Sequence, residues 1–173
     1  MNEEPKVSVS PSGEQFELPK TEEYRTEFEN LKARVDQERA KGREIVVVMG
    51  VGFVGAVMAA IVADTVNENG DPSKFVIGMQ RPSTRSYWKI PMLNRGVSPV
   101  KAEDPEVDPM INRCVNEKQT LMATYTYDVL RLADVVVVDV QCDYLKEDLG
   151  NVRSGETDMA ALEASLGEIA ERV

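Results

Sequence analysis

Six residues constrain this chain more than any others: Gly50-Val51-Gly52-Phe53-Val54-Gly55. They follow Ile45 to Met49 (IVVVM), an apolar and mostly β-branched run. Such a run suits a parallel strand buried on both faces. They also open a stretch rich in Ala, Val and Met, read as a helix from about Phe53 to Asn67. Strand, G-x-G-x-x-G and helix thus stand in the order that a dinucleotide-binding turn requires. Each glycine has its own task. Gly50 permits the tight turn, Gly52 lets a pyrophosphate approach the backbone, and Gly55 lets the helix pack close to the strand. The helix start at Phe53 and Val54 offers free N–H groups and a partial positive charge to phosphates.

The rest of the chain repeats this alternation. Phe75 to Met79 (FVIGM), Leu121 to Tyr125 and Val135 to Val140 (VVVVDV) read as three more strands, the last as a fourth buried one. Pro105 to Lys118, Tyr127 to Leu132 and Asp158 to Arg172 read as helices, the last capped by Thr157. Strands alternating with helices imply right-handed crossovers and a parallel sheet. The fold class is therefore α/β, a doubly wound sheet of the Rossmann type with an extra N-terminal helix. Residues 1–20, with three prolines, read as an extended or disordered lead-in. Residues 21–42 read as that extra helix, with Thr21 as its cap and Gly42 as its stop. Tyr24, Phe28, Leu31 and Val35 form one stripe along it. The stripe packs on its own domain or meets a partner subunit. Residues 43–173 make the dinucleotide-binding domain.

Composition removes several function classes. The net charge of −10 opposes any general attraction to nucleic acid or anionic membrane. No stretch reaches the roughly 18 uninterrupted apolar residues of a membrane span. The N-terminus lacks the apolar core of a signal peptide, so the reading is a cytoplasmic protein. There is no histidine, which removes histidine-based acid/base chemistry and histidine metal ligands. Two cysteines are too few for a disulfide framework or a structural zinc site, and no metal is expected.

An acid about 20 residues beyond the glycines holds the ribose in many such domains. Here the corresponding residues are Gln80-Arg81-Pro82-Ser83-Thr84-Arg85, with no acid among them. Arg81 and Arg85 with the hydroxyls would suit the 2′-phosphate of NADP. Alternatively Gln80 bonds the ribose of NAD and Arg81 stacks on its adenine. Arg81, Arg85, Lys89 and Arg95 form a basic group around Tyr87 and Trp88, which face a phosphate and a base or are a solvated loop with packed aromatics.

Several segments together resemble the UDP-glucose/GDP-mannose dehydrogenase family. Val48 to Ala63 (VMGVGFVGAVMAAIVA) resembles its opening. Asn94 to Val100 (NRGVSPV) resembles its "N-x-G-x-S-P-I" segment, and Glu103 to Pro105 stands where it has "E-P". Ala123-Thr124 with Tyr127 resembles "A-T-T-D-Y", and Ala133-Asp134-Val135 matches "A-D-V". The resemblance implies an N-terminal NAD-binding domain, a middle region that builds a dimer, and a further domain for a nucleotide sugar. It implies oxidation of the sugar C6 alcohol to a carboxylate in two steps, through a thioester on a cysteine.

That cysteine lies in a "G-x-x-C-x-x-K-D"-like segment which does not occur here. Cys114 falls on an apolar helical face and reads as core. Where the family has "N-T-P-T" after the fourth strand, this chain has Gln141-Cys142-Asp143-Tyr144. Cys142 and Tyr144 touch substrate there, or make an ordinary loop. The expected function is the NAD- or NADP-binding domain of a nucleotide-sugar 6-dehydrogenase, a piece of a longer enzyme that is inactive alone. The alternatives are another Rossmann oxidoreductase and a non-catalytic dinucleotide-binding module.

Overall fold

A computed structural model describes residues 6–145 and 155–173. At its centre lie four parallel strands: β3 (Glu44–Met49), β4 (Lys74–Met79), β5 (Leu121–Thr124) and β6 (Val135–Val138). Their order across the sheet is β5-β4-β3-β6. The register sets Ile45 beside Phe75 and Val47 beside both Ile77 and Val136. The chain leaves β3 in one direction to build β4 and β5, then returns to the other side of β3 for β6. The switch in direction therefore falls between β3 and β6, where doubly wound sheets open a crevice at their carboxyl ends.

Alternation along β3 and β4 feeds two apolar cores. On one face, Val46, Val48 and Val76 meet α2 (Phe53–Ala63) through Ala56, Ala59, Ala60 and Ala63. These alanines let the helix lie close to the sheet. The same core takes Ile90 and Leu93 of α3 (Lys89–Asn94) and Val107 and Ile111 of α4 (Val107–Asn112). On the other face, Ile45, Val47, Phe75 and Ile77 meet Leu31 and Val35 of α1 (Glu23–Ala40). The α1 stripe thus packs on its own domain. At the end of α1 the wholly buried Glu38 accepts from Arg43 at 2.6 Å, with Lys41 and Arg34 at 2.9 and 3.1 Å. A carboxylate taken out of water needs such partners.

Several local expectations are corrected. β6 is not fully buried: among the described residues it is an edge strand, paired only with β3, and Val135 is exposed. The β-branched run was a true strand signal, but its side chains are only partly covered: Val137 packs on one core and Val136 and Val138 on the other. The helix expected over Pro105 to Lys118 begins at Val107 and passes into a π-helical turn over Arg113–Glu117. The short helix expected over Tyr127–Leu132 is present, as a 3₁₀ helix capped by the Thr126 hydroxyl, which accepts from Asp128 N–H. Neither Thr21 nor Thr157 is a cap. α1 has Glu22 at that position and α5 (Ala160–Ala170) has Met159, both without a side-chain bond.

Residues 6–20 form a hairpin of β1 (Val7–Val9) and β2 (Gln15–Glu17). It docks beside α3, with Ser8 Oγ accepting from Trp88 N–H at 3.2 Å and Arg95 over the Phe16 ring. Two short strands, β7 (Tyr144–Leu145) and β8 (Glu156–Thr157), pair antiparallel after β6.

Candidate functional site

The turn after β3 holds three glycines under three different constraints. Gly50 has φ +101°, a conformation an L side chain rarely takes. A Cβ on it would overlap the Asp139 carbonyl oxygen. A Cβ on Gly55 would overlap the Gly50 carbonyl oxygen and stand 2.5 Å from Asp139 Oδ2. Above Gly52 there is nothing within 4 Å. Gly52 begins α2 without a side-chain cap, so the Phe53, Val54 and Gly55 N–H groups have no helical acceptor. Open space and free donors coincide at the positive end of a helix.

Beside this turn a cavity of about 480 Å³ opens at the carboxyl ends of β3, β4 and β6. Gly50, Met49, Met79, Gln80 and Arg81 form one wall. Tyr127, Val140 and the α5 residues Ala160, Ala161, Ala164, Ser165 and Glu168 form the other. Gln80 is anchored: its Oε1 accepts from Val51 N–H at 3.1 Å, and its backbone N–H donates to Thr124 O at 3.0 Å. Arg81 is exposed at the rim. Glu168 is held by Arg172 at 2.6 Å, and the Arg172 guanidinium lies over the Tyr127 ring. Burial and the Glu168 carboxylate push the Tyr127 phenol up, while the positive charges of Arg81 and Arg172 act the other way.

The remaining sequence candidates lie elsewhere. Phe53 and Val54 turn their exposed side chains to a separate apolar cavity of about 640 Å³, with Val57, Met58, Ile61 and Val107; only their backbones serve the glycine turn. Arg85 is exposed, does not line the smaller cavity, and its carbonyl accepts from Trp88 Nε1 at 3.0 Å. The basic group does not converge. Arg95 pairs with Glu14, and Lys89 is half-buried, which lowers its pKa. Trp88 is buried, and Tyr87 packs edge-on to Tyr125.

Cys142 and Tyr144 are exposed, beyond the cavity wall, with Tyr144 paired to Thr157. Cys114 is wholly buried. Burial, then the Asp64 carboxylate, push its thiol up to about 11, so it is protonated and inert at neutral pH.

Sequence reasoning missed Tyr127, Asp139 and the α5 wall as site residues. Glu168, one of the acids of the last helix, lines the cavity. The signal for Asp139 was present: it is the polar residue that ends the Val135–Val138 run, at a strand's carboxyl end.

The family-like segments have structural work. Asn94 Nδ2 donates to Ala123 O at 2.9 Å and its Oδ1 accepts from Ala123 N–H at 2.6 Å, which closes the outer edge of β5. Asp134 accepts from Ile45 N–H at 2.8 Å and from Arg39 at 2.7 Å, tying α1 to the sheet.

Comparison with solved structures finds the same α/β fold. An NDP-N-acetyl-D-galactosaminuronic acid dehydrogenase from Methanosarcina mazei Go1 superposes on 83% of this chain at 29% identity, with a TM-score of 0.63. Its structural relatives are nucleotide-sugar dehydrogenases. A second is a GDP-mannose dehydrogenase from Pseudomonas aeruginosa, at 25% identity over 72% of this chain and a TM-score of 0.54. A third, a UDP-D-ManNAc dehydrogenase from Pyrococcus horikoshii, shares the fold at 23% identity over 75%, with a TM-score of 0.55. The chain spans about a quarter of the length of these nucleotide-sugar dehydrogenases: 27%, 24% and 26%. No protein-family profile and no curated protein matches it. Among the described residues, no helix is long and apolar enough to cross a membrane.

Proposed function

We propose that this chain is the dinucleotide-binding module of a nucleotide-sugar 6-dehydrogenase. Residues 43–173 hold NAD or NADP, and residues 21–42 brace the sheet from its second face. The single observation that carries this reading is the contrast within the glycine turn. Gly50 and Gly55 are crowded by protein, while Gly52 faces open space beside three free N–H groups. That is the shape and charge a pyrophosphate requires.

The adjoining cavity, about 480 Å³, fits an adenosine in size. Tyr127 and the small side chains of Ala160 and Ala164 offer flat, apolar walls for a base. The cofactor would supply hydride acceptance. The chain's own groups bind and orient it: the turn holds the pyrophosphate, and Gln80 and Arg81 hold the adenosine ribose. Oxidation of a nucleotide sugar at C6 belongs to the full-length enzyme, as does assembly into a dimer. Cys114 is walled into the core, so the thioester chemistry needs a cysteine from another segment.

Titration calorimetry with NADH and with NADPH tests the reading. Saturable binding of at least one, at micromolar to low millimolar concentration, is expected. Absence of heat with both would sink it.

A further inference from the structure

The adenosine end of the cavity carries a charge pattern unlike that of an NAD site. In NAD-binding domains of this fold, a carboxylate past the second strand accepts from the ribose hydroxyls and repels a 2′-phosphate. Here Gln80 stands directly after β4. Oε1 accepts from Val51 N–H, which fixes the orientation of the amide. Nε2 is a donor with no acceptor capacity, and the neutral Oε1 is a weaker acceptor than a carboxylate. Its contact with Ser86 Oγ is 3.5 Å, too long to be a strong bond. Arg81 follows on the same wall, exposed and permanently charged. The Ser83 and Ser86 hydroxyls bond each other at 2.7 Å, and Ser86 donates to Arg81 O at 3.1 Å. This fixes the loop that carries the guanidinium. Glu168 is the acid among the cavity's described lining residues, and Arg172 neutralises it.

We propose that Gln80 Nε2 and the Arg81 guanidinium form the seat of an adenosine 2′-phosphate, so that this chain selects NADP(H) over NAD(H). The inference rests on the dinucleotide reading above. An amide donor and a guanidinium favour a dianionic phosphate, and neither gives a ribose hydroxyl the acceptor a carboxylate would.

The test is titration of the whole chain, wild type and two variants, with NADPH and with NADH, each variant's melting temperature being recorded. In the wild type, NADPH should bind at least tenfold more tightly than NADH. Arg81→Ala should lose far more affinity for NADPH than for NADH, so that the two cofactors come to bind within about twofold of each other. Gln80→Glu keeps the acceptor for Val51 N–H and turns the outward donor into a charged oxygen, so it should reverse the preference. The difference between the two cofactors should also shrink as salt is raised. NADH binding as tightly as NADPH to the wild type overturns the inference and leaves the dinucleotide reading intact. So does an equal loss of both cofactors in the two variants. Failure of both cofactors to bind the wild type removes the dinucleotide reading itself, and the inference with it.

Discussion

A Cβ on Gly55 would overlap the carbonyl oxygen of Gly50, five residues before it in the same turn. The contact brings α2 against the end of β3 and sets the height of the helix N-terminus above the sheet. Gly52 lies between the two and touches nothing on its open side. One turn thus contains glycines required by what the protein fills and a glycine required by what it leaves empty.

Substitution by alanine should separate these roles. Gly55→Ala forces α2 off the turn and should cost about 1–3 kcal/mol of stability, as overpacking does, seen as a lower melting temperature. Gly52→Ala meets no protein atom and has φ −80°. It should stay within about 1 kcal/mol of wild type yet lose most dinucleotide affinity. If Gly52→Ala bound NADH and NADPH as the wild type does, the space above Gly52 would not be the pyrophosphate seat.

Asp139 should act on the same ligand from the other side. Its Oδ2 lies by the first turn of α2, near the donors that would meet the pyrophosphate. A carboxylate there opposes a second negative charge. Asp139→Asn should raise affinity for NADH and NADPH alike, several-fold at low salt. Unchanged affinity across both would place this carboxylate outside the ligand's field.

Asn94 should matter for the fold and not for the ligand. Its amide gives the edge strand β5 both a donor and an acceptor at Ala123. Asn94→Ala leaves that backbone pair unsatisfied, at a cost of about 1–3 kcal/mol, measurable by urea denaturation. Asn94 does not line the 480 Å³ cavity, so cofactor affinity per folded molecule should be unchanged.

Asp64 sets part of the acid response. The hydrogen bond from Arg113, with a further one from Lys118, holds its carboxyl well below the usual carboxylate range, against a smaller opposing effect of burial. A depressed folded pKa contributes stability that is present above the unfolded value, near 3.9, and lost as pH falls below it. The stability gap between wild type and Asp64→Asn should therefore narrow from about pH 5 to pH 3. A gap independent of pH over that range would mean that the ion pairs contribute nothing.

Much of the sheet was legible along the chain. Strands β3 and β4 are buried on both faces, and only continuous apolar runs such as Ile45 to Met49 satisfy that. The glycine turn was legible for a related reason: φ +101° at Gly50 and the crowding at Gly55 admit no other residue type. Val135 to Val138 shows where such local reading stops. Its composition matches that of β3, and whether it is interior or edge depends on which strand lies on its far side.

The same limit hid the second half of the cavity. Gly50, Gln80, Tyr127 and Ala164 are far apart in sequence and become one wall-to-wall space only when α5 folds back over the carboxyl ends of the strands. Sequence by itself determined the strand–turn–helix frame, because those residues are dictated by backbone geometry and two-sided burial, both local. Tertiary structure alone decided the edge of the sheet, the closure of β5 by Asn94 and the partners of Gln80. Each of those depends on an atom supplied by a distant segment, and no pattern of neighbours along the chain encodes it.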